Sequence, residues 1–448
     1  MRGLFLALAL ACAPVPALAQ RAAPAAQADY AVNVQRLVTP SGIEAWLVSD
    51  STVPMIVLRA YWRGGGALDP SNRLGLTGMT ADLMTEGAGP YDAGAFKQRL
   101  EELNMSLSFS AGSDGVGMNM TALSENRDAA FEMARLALAN PRFDAASLER
   151  VRRQILVGIR QRDTNPSYLA WLAIDEALYP DHVYAQRTSR EAVQAVTRSD
   201  LVQRSRAMFA RDRMQITLVG DIDAATAARL LDETFASVPA SAPFDPPPQA
   251  NIRAATPLIV RDLPQPQSLI LFVAPGIQDE DPDWVPLAVA NYILGGGGFS
   301  SRLTAEVRER RGLVYGVGTS ASVREHVAVI RGSAQTENGN VREALDVIRA
   351  EMGRLVRDGA TQAEVNDAIT YLTGSFALDL DSNVKTANVV HAYQTAGRDI
   401  GYINRRNALI RAVTLADVNR VARRLFAPEN FTFVVVGQPT GLEADGTE

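Results

Sequence analysis

The chain has 448 residues, of which 47% are hydrophobic and 21% charged, a composition typical of a globular protein that excludes a disordered one. Its 44 basic and 50 acidic side chains give a formal net charge of −6 without a basic run, which argues against a nucleic-acid partner. The length predicts roughly three domains, or two large ones.

The N-terminus has the pattern of a secretory signal peptide. Arg2 precedes an apolar run over residues 3–13, and Ala17-Leu18-Ala19 forms a small-residue cleavage motif. We therefore expect cleavage after Ala19 and export to the periplasm. The apolar run is too short to span a bilayer, and no later segment has the ~18 uninterrupted apolar residues of a transmembrane helix.

The one cysteine, Cys12, lies within this predicted signal peptide of residues 1–19. The mature chain is therefore expected to use neither disulfides nor thiolate metal ligands. Lipid modification of Cys12 is the alternative, although Ala9-Leu10-Ala11 makes a poor lipobox. Residues 20–29 are rich in Ala, Pro and Gln and are expected to form a disordered leader.

Strand and helix patterns are clustered along the first half rather than strictly alternating. The alternating apolar patterns predict strands at residues 43–48 and 55–62 and a strand region over 106–123. Helical periodicity predicts helices at residues 76–85, 93–103, 127–138, 145–162 and 167–178. In the second half, long helices are predicted at residues 341–357 and 362–380. Such clusters favour an α+β layer architecture.

An internal repeat relates the two halves of the chain. The segment that starts at Val413 aligns without a gap with the one that starts at Val196, an offset of 217 residues. In each copy a threonine, Thr197 or Thr414, is predicted to cap a helix that leads into a buried strand ending in Val-Gly. A repeat of this length indicates two homologous domains rather than a solenoid.

The boundary between the halves is a Pro- and Ala-rich stretch over residues 237–257 that has no helical or strand period. It is typical of an extended linker. We therefore predict a first domain over residues 30–236, a second over 258–438 and a tail over 439–448. Each domain is expected to contain an antiparallel-rich sheet packed with helices.

Four consecutive glycines, Gly295, Gly296, Gly297 and Gly298, precede a charged helical segment in the second half. Glycines mark either a loop with positive φ or a close approach to another group, and such a loop also suits contact with a substrate. The run lacks the spacing and the following Lys-Ser/Thr of a phosphate loop, so nucleotide binding is not expected.

Arg308 lies in this charged segment, and Tyr315 follows seven positions later as the pattern becomes strand-like. A guanidinium and a phenol on one scaffold can both donate hydrogen bonds to a carbonyl that is becoming an oxyanion. The alternative interpretation is that Arg308 is one of several surface charges and Tyr315 an aromatic residue at a strand edge.

The duplicated α+β domains, the linker, the Arg-x6-Tyr segment and the run over residues 178–186 together resemble the insulinase/pitrilysin family of zinc peptidases, which includes the mitochondrial processing peptidases. This resemblance implies two domains that close around a chamber for an unfolded peptide. It also implies that Arg308 and Tyr315 hold the substrate near the scissile carbonyl. Catalytic members carry H-x-x-E-H on a helix of the first domain, and a glutamate some 75 residues on is their third zinc ligand.

The chain departs from the family pattern at every ligand position. Gly78 and Asp82 stand in place of the two histidines, and Ala81 stands in place of the glutamate between them. Gly158 stands near the position of the third ligand. Because a catalytic zinc site takes three protein ligands, no metal site is predicted in this chain.

The remaining histidines and acidic residues offer no substitute ligand set. We interpret His182 as a loop residue, His326 as a hairpin tip and His391 as a packed or surface residue of a helix. Asp82 and Glu86 are four residues apart on a predicted helix and are better explained as a solvated face than as a catalytic dyad.

The expected function is that of a non-catalytic, substrate-binding subunit of a heterodimeric, exported zinc metallopeptidase. Zinc is expected on a homologous partner chain that carries H-x-x-E-H, peptides are the expected substrates, and no peptidase activity is expected from this chain alone. The family also implies that a peptide adds as a strand to a sheet edge, with residues 105–110 as the candidate edge in the first domain. The alternatives are a structural or assembly protein and a peptide-binding homodimer without proteolysis.

Overall fold

A computed structural model describes residues 31–442 of the chain. The predicted signal peptide (1–19), the predicted leader (20–29) and residues 443–448 of the predicted tail lie outside the described residues. Within residues 31–442, no helix combines the length and the apolarity that a membrane span requires.

The first half is built around a six-stranded, mostly antiparallel sheet. The strands of this half are β1 (Gln35–Val38), β2 (Glu44–Ser49), β3 (Met55–Arg63), β4 (Gly87–Ala88), β5 (Tyr91–Asp92), β6 (Ser106–Ala111), β7 (Gly115–Leu123) and β8 (Met214–Gly220). The sheet order is β1-β2-β8-β3-β7-β6, with β2 and β8 paired in parallel, while β4 and β5 form a separate ribbon. The predicted strands are confirmed within two residues, and the predicted edge over residues 105–110 corresponds to edge strand β6.

Eight helices accompany this sheet in the described part of the first half. They are α1 (Leu76–Leu83), α2 (Ala93–Glu102), α3 (Arg127–Ala139), α4 (Ala145–Arg162), α5 (Pro166–Leu178), α6 (Arg190–Ala195), α7 (Arg198–Met208) and α8 (Ala224–Phe235). The five helices predicted in this half are confirmed within two residues. Alternate side chains of β3, among them Ile56, Leu58 and Trp62, point to these helices and form the core of the first half.

The second half repeats this architecture. Its strands are β9 (Ile259–Asp262), β10 (Gln267–Pro275), β11 (Val317–Arg324), β12 (Val327–Glu337) and β13 (Thr432–Gly437), in the order β11-β12-β10-β13-β9. Strands β9 and β13 pair in parallel and the others are antiparallel. This order matches β6-β7-β3-β8-β2 strand for strand, so β11 is the edge strand that corresponds to β6.

The helices of the second half are α9 (Trp284–Asn291), α10 (Val341–Asp358), α11 (Gln362–Gly374), α12 (Asn383–Thr395), α13 (Tyr402–Arg411) and α14 (Leu415–Leu425). Two π-helical turns, Tyr292–Gly296 and Thr304–Glu309, follow α9. The long helix predicted over residues 341–357 is confirmed as α10.

The single helix predicted over residues 362–380 is wrong at its C-terminal end. Helix α11 ends at Gly374, and a 3-10 turn over Ser375–Asp379 follows. A glycine costs a helix about 1 kcal/mol relative to alanine, and the turn allows Phe376 to pack against the first sheet. Tertiary packing therefore overrides the helical period of the sequence at this point.

The repeated segment predicts its helix starts correctly. Thr197 accepts a hydrogen bond from the backbone N–H of Asp200, whose carboxylate accepts in return from the backbone of Thr197. Thr414 and Asp417 form the same capping box at the start of α14. Each box satisfies amides of the first turn that have no partner within the helix.

Each sheet is covered on its second face by a helix from the other half of the chain. Ala387 and Val390 of α12 pack with Val57 and Val219 of the first sheet. Ile174 and its neighbours on α5 pack in the same way with β10 and β13 of the second sheet. The central strands are therefore buried on both faces, which explains why β13 is an unbroken apolar run rather than an alternating one.

Polar side chains also join α12 to the first sheet. The hydroxyl of Thr217 donates to the side-chain oxygen of Gln394 at 2.9 Å and lies 3.2 Å from Nδ1 of His391. Arg59 donates to the side chain of Asn388 at 2.9 Å. Burial, helped by the charge of Arg59 and opposed by a hydrogen bond with Gln394, lowers the pKa of His391 to about 4. His391 is therefore a neutral, packed residue at this contact.

The low pKa of His391 predicts that the protein loses stability on mild acidification. Unfolded histidine has a pKa of about 6.5, so protons bind the unfolded chain first. The contribution of neutral His391 to the free energy of unfolding is fully present above about pH 6.5. It is lost as the pH falls toward 4, by about 3 kcal/mol in total. Urea unfolding between pH 7 and 5 should show this slope in the wild type. His391→Gln should flatten this slope, and an unchanged slope in that variant would contradict the assignment.

Candidate functional site

Helix α1, which carries the altered zinc motif, is fixed at its N-terminus by Asp69. The carboxylate of Asp69 accepts from the backbone N–H of Gly75 at 3.0 Å and of Thr77 at 3.1 Å, and it lies 3.7 Å from the guanidinium of Arg204. Burial raises the pKa of Asp69, which these contacts oppose. A negative charge at this end also stabilises the helix dipole. The scaffold of the motif is therefore intact.

The side chains on this scaffold do not fit a zinc ion. Ala81 is only 2% exposed, and at Gly78 and Gly158 no atom lies within 4 Å of the position that a Cβ would take. Asp82 alone offers a ligand oxygen, and a catalytic zinc site needs three protein ligands. Residues 31–442 contain no group of three His, Cys, Asp or Glu side chains that could hold a metal ion.

Asp82 and Glu86 do not act as a pair. Glu86 forms an ion pair with Arg150 of α4, and the hydroxyl of Ser147 donates to its backbone carbonyl at 3.5 Å. Asp82 reaches solvent, and partial desolvation raises its pKa. Asp82 and Glu86 therefore belong to the surface of a helix and do not form a carboxylate dyad.

Arg308 and Tyr315 are presented at the surface beside the edge of the second sheet. Arg308 lies on the second π-helical turn with its guanidinium 4.7 Å from the ring centre of Phe299, which is 68% exposed. Tyr315 is 78% exposed and lies two residues before β11. Within residues 31–442, neither the guanidinium of Arg308 nor the phenol of Tyr315 has a hydrogen-bond partner. Both donors are therefore free to bind another molecule.

Ion pairs around Arg308 hold its segment in place. Arg302 donates to both carboxylate oxygens of Glu364, at 2.6 and 2.8 Å, and to the carbonyl of Gly359 at 3.0 Å. Burial alone raises the pKa of Glu364, but hydrogen bonds from Arg302 and Thr361 outweigh it and lower the pKa to about 2. These contacts anchor the segment that carries the free guanidinium of Arg308.

A second acidic residue, Glu306, satisfies the other arginines of this segment. It pairs with Arg310 and accepts from Arg311 at 2.7 Å, and Arg354 lies 3.7 Å away. The hydrogen bond from Arg311 lowers the pKa of Glu306. The other arginines of this segment are therefore paired with acidic residues of the chain, which distinguishes Arg308 from them.

Packing within the chain requires glycine at three of the four positions, and a positive φ favours it at Gly298. A Cβ on Gly295 would lie 2.6 Å from the hydroxyl of Thr319 in β11, and one on Gly297 would lie 2.8 Å from the carbonyl of Tyr292. A Cβ on Gly296 would lie 2.5 Å from the side chain of Asn291, while Gly298 has a φ of +56° and open space around it. These contacts seat the loop against the start of β11. Substrate contact by Gly295–298 stays a prediction.

Two of the three histidines lie close together in space. His182 caps a 3-10 turn, Val183–Ala185, and its ring centre is 6.1 Å from that of His326. Nε2 of His182 lies 3.0 Å from the carbonyl of Pro248 in the linker region. His326 occupies the β11–β12 hairpin turn, as expected. Sequence spacing could not reveal this proximity, because the two residues belong to different halves.

The same region contains a polar junction between the halves that sequence reasoning missed. Asp114, in the β6–β7 turn, accepts a hydrogen bond from the hydroxyl of Tyr184 and another from the backbone N–H of Glu325 at 3.1 Å. Glu325 also pairs with Arg63 of β3. Burial and the hydrogen bond to Asp114 raise the pKa of Tyr184, which therefore stays protonated. The Ser-Asp-Gly sequence at residues 113–115 indicates a turn but not this contact.

Comparisons with known proteins match an M16 domain family and proteins named both as a non-peptidase homolog and as zinc proteases. Residues 195–372 match the family described as peptidase M16 inactive domain. The non-peptidase homolog YmxG of Helicobacter pylori is 25% identical over 388 residues, 86% of this chain and 89% of that protein. An uncharacterized zinc protease of Mycobacterium leprae is 28% identical over 311 residues, 68% of this chain and 69% of that protein.

A solved structure extends the agreement to the fold. The crystal structure of a peptidase M16 inactive domain from Pseudomonas fluorescens has a TM-score of 0.85 to this chain at 26% identity. It covers 93% of this chain and 100% of its own. The α+β class predicted from the sequence is thereby confirmed.

The junction at Asp114 predicts a specific loss of stability. Asp114→Ala leaves the Tyr184 hydroxyl and the Glu325 amide without their acceptor, so the free energy of unfolding should fall by about 2–5 kcal/mol in urea titrations. Asp114→Asn should cost less because it keeps one acceptor oxygen. Asp181→Ala, which removes an exposed ion pair with Arg253, is the control and should change stability by less than about 1 kcal/mol. An equal loss of unfolding free energy in Asp114→Ala and Asp181→Ala would contradict a stabilising role for the contacts of Asp114 with Tyr184 and Glu325.

Proposed function

Because the chain belongs to the insulinase/pitrilysin (M16) family, among its inactive homologues, we propose that it is the non-catalytic subunit of a two-chain zinc peptidase. One combination of features carries this proposal. The second half presents two hydrogen-bond donors without partners, Arg308 and Tyr315, while the first half lacks zinc ligands. A chain that keeps the donors and lacks the ligands suits a site completed by another chain.

In this role Arg308 and Tyr315 act on the carbonyl of the peptide bond to be cut. A zinc ion held by the partner would activate the attacking water. The guanidinium and the phenol of this chain donate hydrogen bonds to the carbonyl oxygen as it becomes negatively charged. Donors that are already in place, on a segment fixed by the Arg302–Glu364 pair, stabilise that charge without reorganisation.

The peptide is held along the edge of the second sheet. Strand β11 pairs with β12 alone and lies at the edge of its sheet, and Tyr315 lies just before its first residue. An extended peptide that pairs with its main chain would pass Tyr315 without a requirement for a particular sequence. The glycine loop of Gly295–298 lies beside the same strand and is the part of this chain we assign to substrate contact.

The partner is a homologous chain that carries H-x-x-E-H, and the complex acts outside the cytoplasm. Export follows from the signal peptide predicted over residues 1–19, which would have to be shared by the partner. This chain contributes half of the peptide chamber and no metal of its own.

The roles of Arg308 and Tyr315 can be tested in the purified complex with such a partner. Removal of one oxyanion donor in other enzymes lowers turnover by about 10²–10³-fold. Tyr315→Phe and Arg308→Ala should therefore each lower turnover on an unfolded peptide at that scale, with the zinc content of the partner unchanged.

Matched controls separate this role from general damage. Arg310→Ala removes a neighbouring arginine whose partner Glu306 keeps Arg311, and Tyr371→Phe removes another exposed phenol. Both should leave turnover within about threefold of the wild type. Near-normal turnover in Tyr315→Phe and Arg308→Ala would show that the two residues do not act on the reacting carbonyl.

A further inference from the structure

A cavity of about 400 Å³ opens beside α1 at the position of the lost zinc ligand. Gly78 lines it, and the space that a side chain would occupy there is empty of protein atoms. The β6–β7 turn, the segment from Val183 to Thr188 and the end of β11 close its other sides. The cavity thus lies where the two halves of the chain meet.

Four charged side chains line this cavity, and three of them are neutralised by protein partners. Asp69 is bonded by backbone amides and Arg204, as described above. Asp175 accepts from the hydroxyl of Tyr179 and from Arg187. Arg187 also donates to the carbonyls of Tyr184 and Gln186, at 2.9 and 3.1 Å.

The fourth charge, Arg324, has no such partner. Its guanidinium lies 5.2 Å from the ring centre of Tyr184 and forms no ion pair or hydrogen bond with the rest of residues 31–442. The nearby carboxylates are taken, because Asp114 is bonded by Tyr184 and Glu325 is paired with Arg63. The cavity is therefore lined by one half-buried positive charge without a counter-charge in contact.

Arg324 also lines a second cavity, of about 460 Å³, on the other side of the β6–β7 turn. Ser110 of edge strand β6 and Tyr61 of β3 border this second space. Arg324 itself is the last residue of β11, the other edge strand. A chain that follows either edge would bring its polar groups to this guanidinium.

We propose that Arg324 and the cavity beside Gly78 form a binding site for a carboxylate group of the peptide substrate. A planar guanidinium binds a carboxylate through two parallel hydrogen bonds, and partial burial strengthens the contact. The hydroxyls of Ser113 and Thr188, which line the same cavity, can donate to the carboxylate. The site deepens the proposed function, on which it rests, by assigning a use to the space left by the zinc ligand.

The test compares three fluorescently labelled, unfolded peptides of otherwise uncharged sequence by fluorescence anisotropy with the purified full chain. One has a free C-terminal carboxylate, one is amidated, and one is amidated but contains an internal glutamate. At least one carboxylate-bearing peptide should bind about 10-fold more tightly than the uncharged amide. If only the peptide with the free C-terminal carboxylate binds tightly, the ligand is a chain end. If the amidated peptide with an internal glutamate binds tightly, the ligand is an acidic side chain.

Variants test whether this preference depends on the cavity. Arg324→Gln should abolish it, and Gly78→Leu should abolish it by filling the cavity while Arg324 remains. Arg331→Gln is the control, because Arg331 also lies over an aromatic ring, that of Trp171, but does not line the cavity. Equal affinities for all three peptides, no binding of any, or an unchanged preference in Arg324→Gln would overturn the site. The proposed function is decided separately, by cleavage in the Arg308 and Tyr315 variants.

Discussion

The exchange of helices between the two halves is the constraint on which the rest of the structure depends. A sheet with one uncovered apolar face is unstable in water, and here each sheet obtains its second cover from the other half. Burial of Val57 and Val219 under α12, and of β13 under α5, fixes both sheets relative to each other. Neither half could move away without exposing both sets of valines.

This fixed arrangement places the functional groups. It brings the β11–β12 turn against the β6–β7 turn, where Asp114 joins Tyr184 and Glu325. Within the first half, Gly65 and Gly115 let the β6–β7 turn pack closely against β3 and the residues after it, since a Cβ on Gly65 would lie 2.2 Å from the carbonyl of Gly112 and one on Gly115 would lie 2.2 Å from the ring of Tyr61. The cavity beside Gly78, which residues of both halves line, is a consequence of this packing.

The chain lacks the H-x-x-E-H side chains of the zinc peptidases that it resembles, but it has the helix scaffold that would carry them. Asp69 still anchors α1, and α1 still packs in the core, although Gly78, Ala81 and Gly158 offer no ligand. The base of the Arg308 segment is likewise intact. The anchored helix α1 and the anchored Arg308 segment both keep a fixed shape. A chain that presents its surface to a partner and a peptide requires such a fixed shape.

Local signals were sufficient to predict most helices and strands and the helix starts of the repeated segment. The capping boxes at Thr197 and Thr414 depend on residues three positions apart, so they can be read directly from the sequence. In these cases the determining residues are neighbours in the chain. The resemblance to the family singled out Arg308 and Tyr315 but did not predict that they lie beside an edge strand.

Contacts between distant residues could not be predicted in this way. The covering of each sheet by a helix of the other half, the proximity of His182 and His326, and the lack of a partner at Arg324 all depend on residues far apart in sequence. The early end of α11 has the same origin, because Phe376 leaves the helix to reach a sheet of the first half. A single sequence contains no local signal for such packing.

The central claim is that this chain completes a catalytic site whose zinc lies on another chain. The most direct test mixes the purified protein with the homologue from the same organism that carries H-x-x-E-H, and follows cleavage of an unfolded peptide. We expect cleavage by the mixture and by neither protein alone, with the two proteins co-eluting in size-exclusion chromatography. A homologue that is fully active alone and unchanged by this chain would contradict the claim.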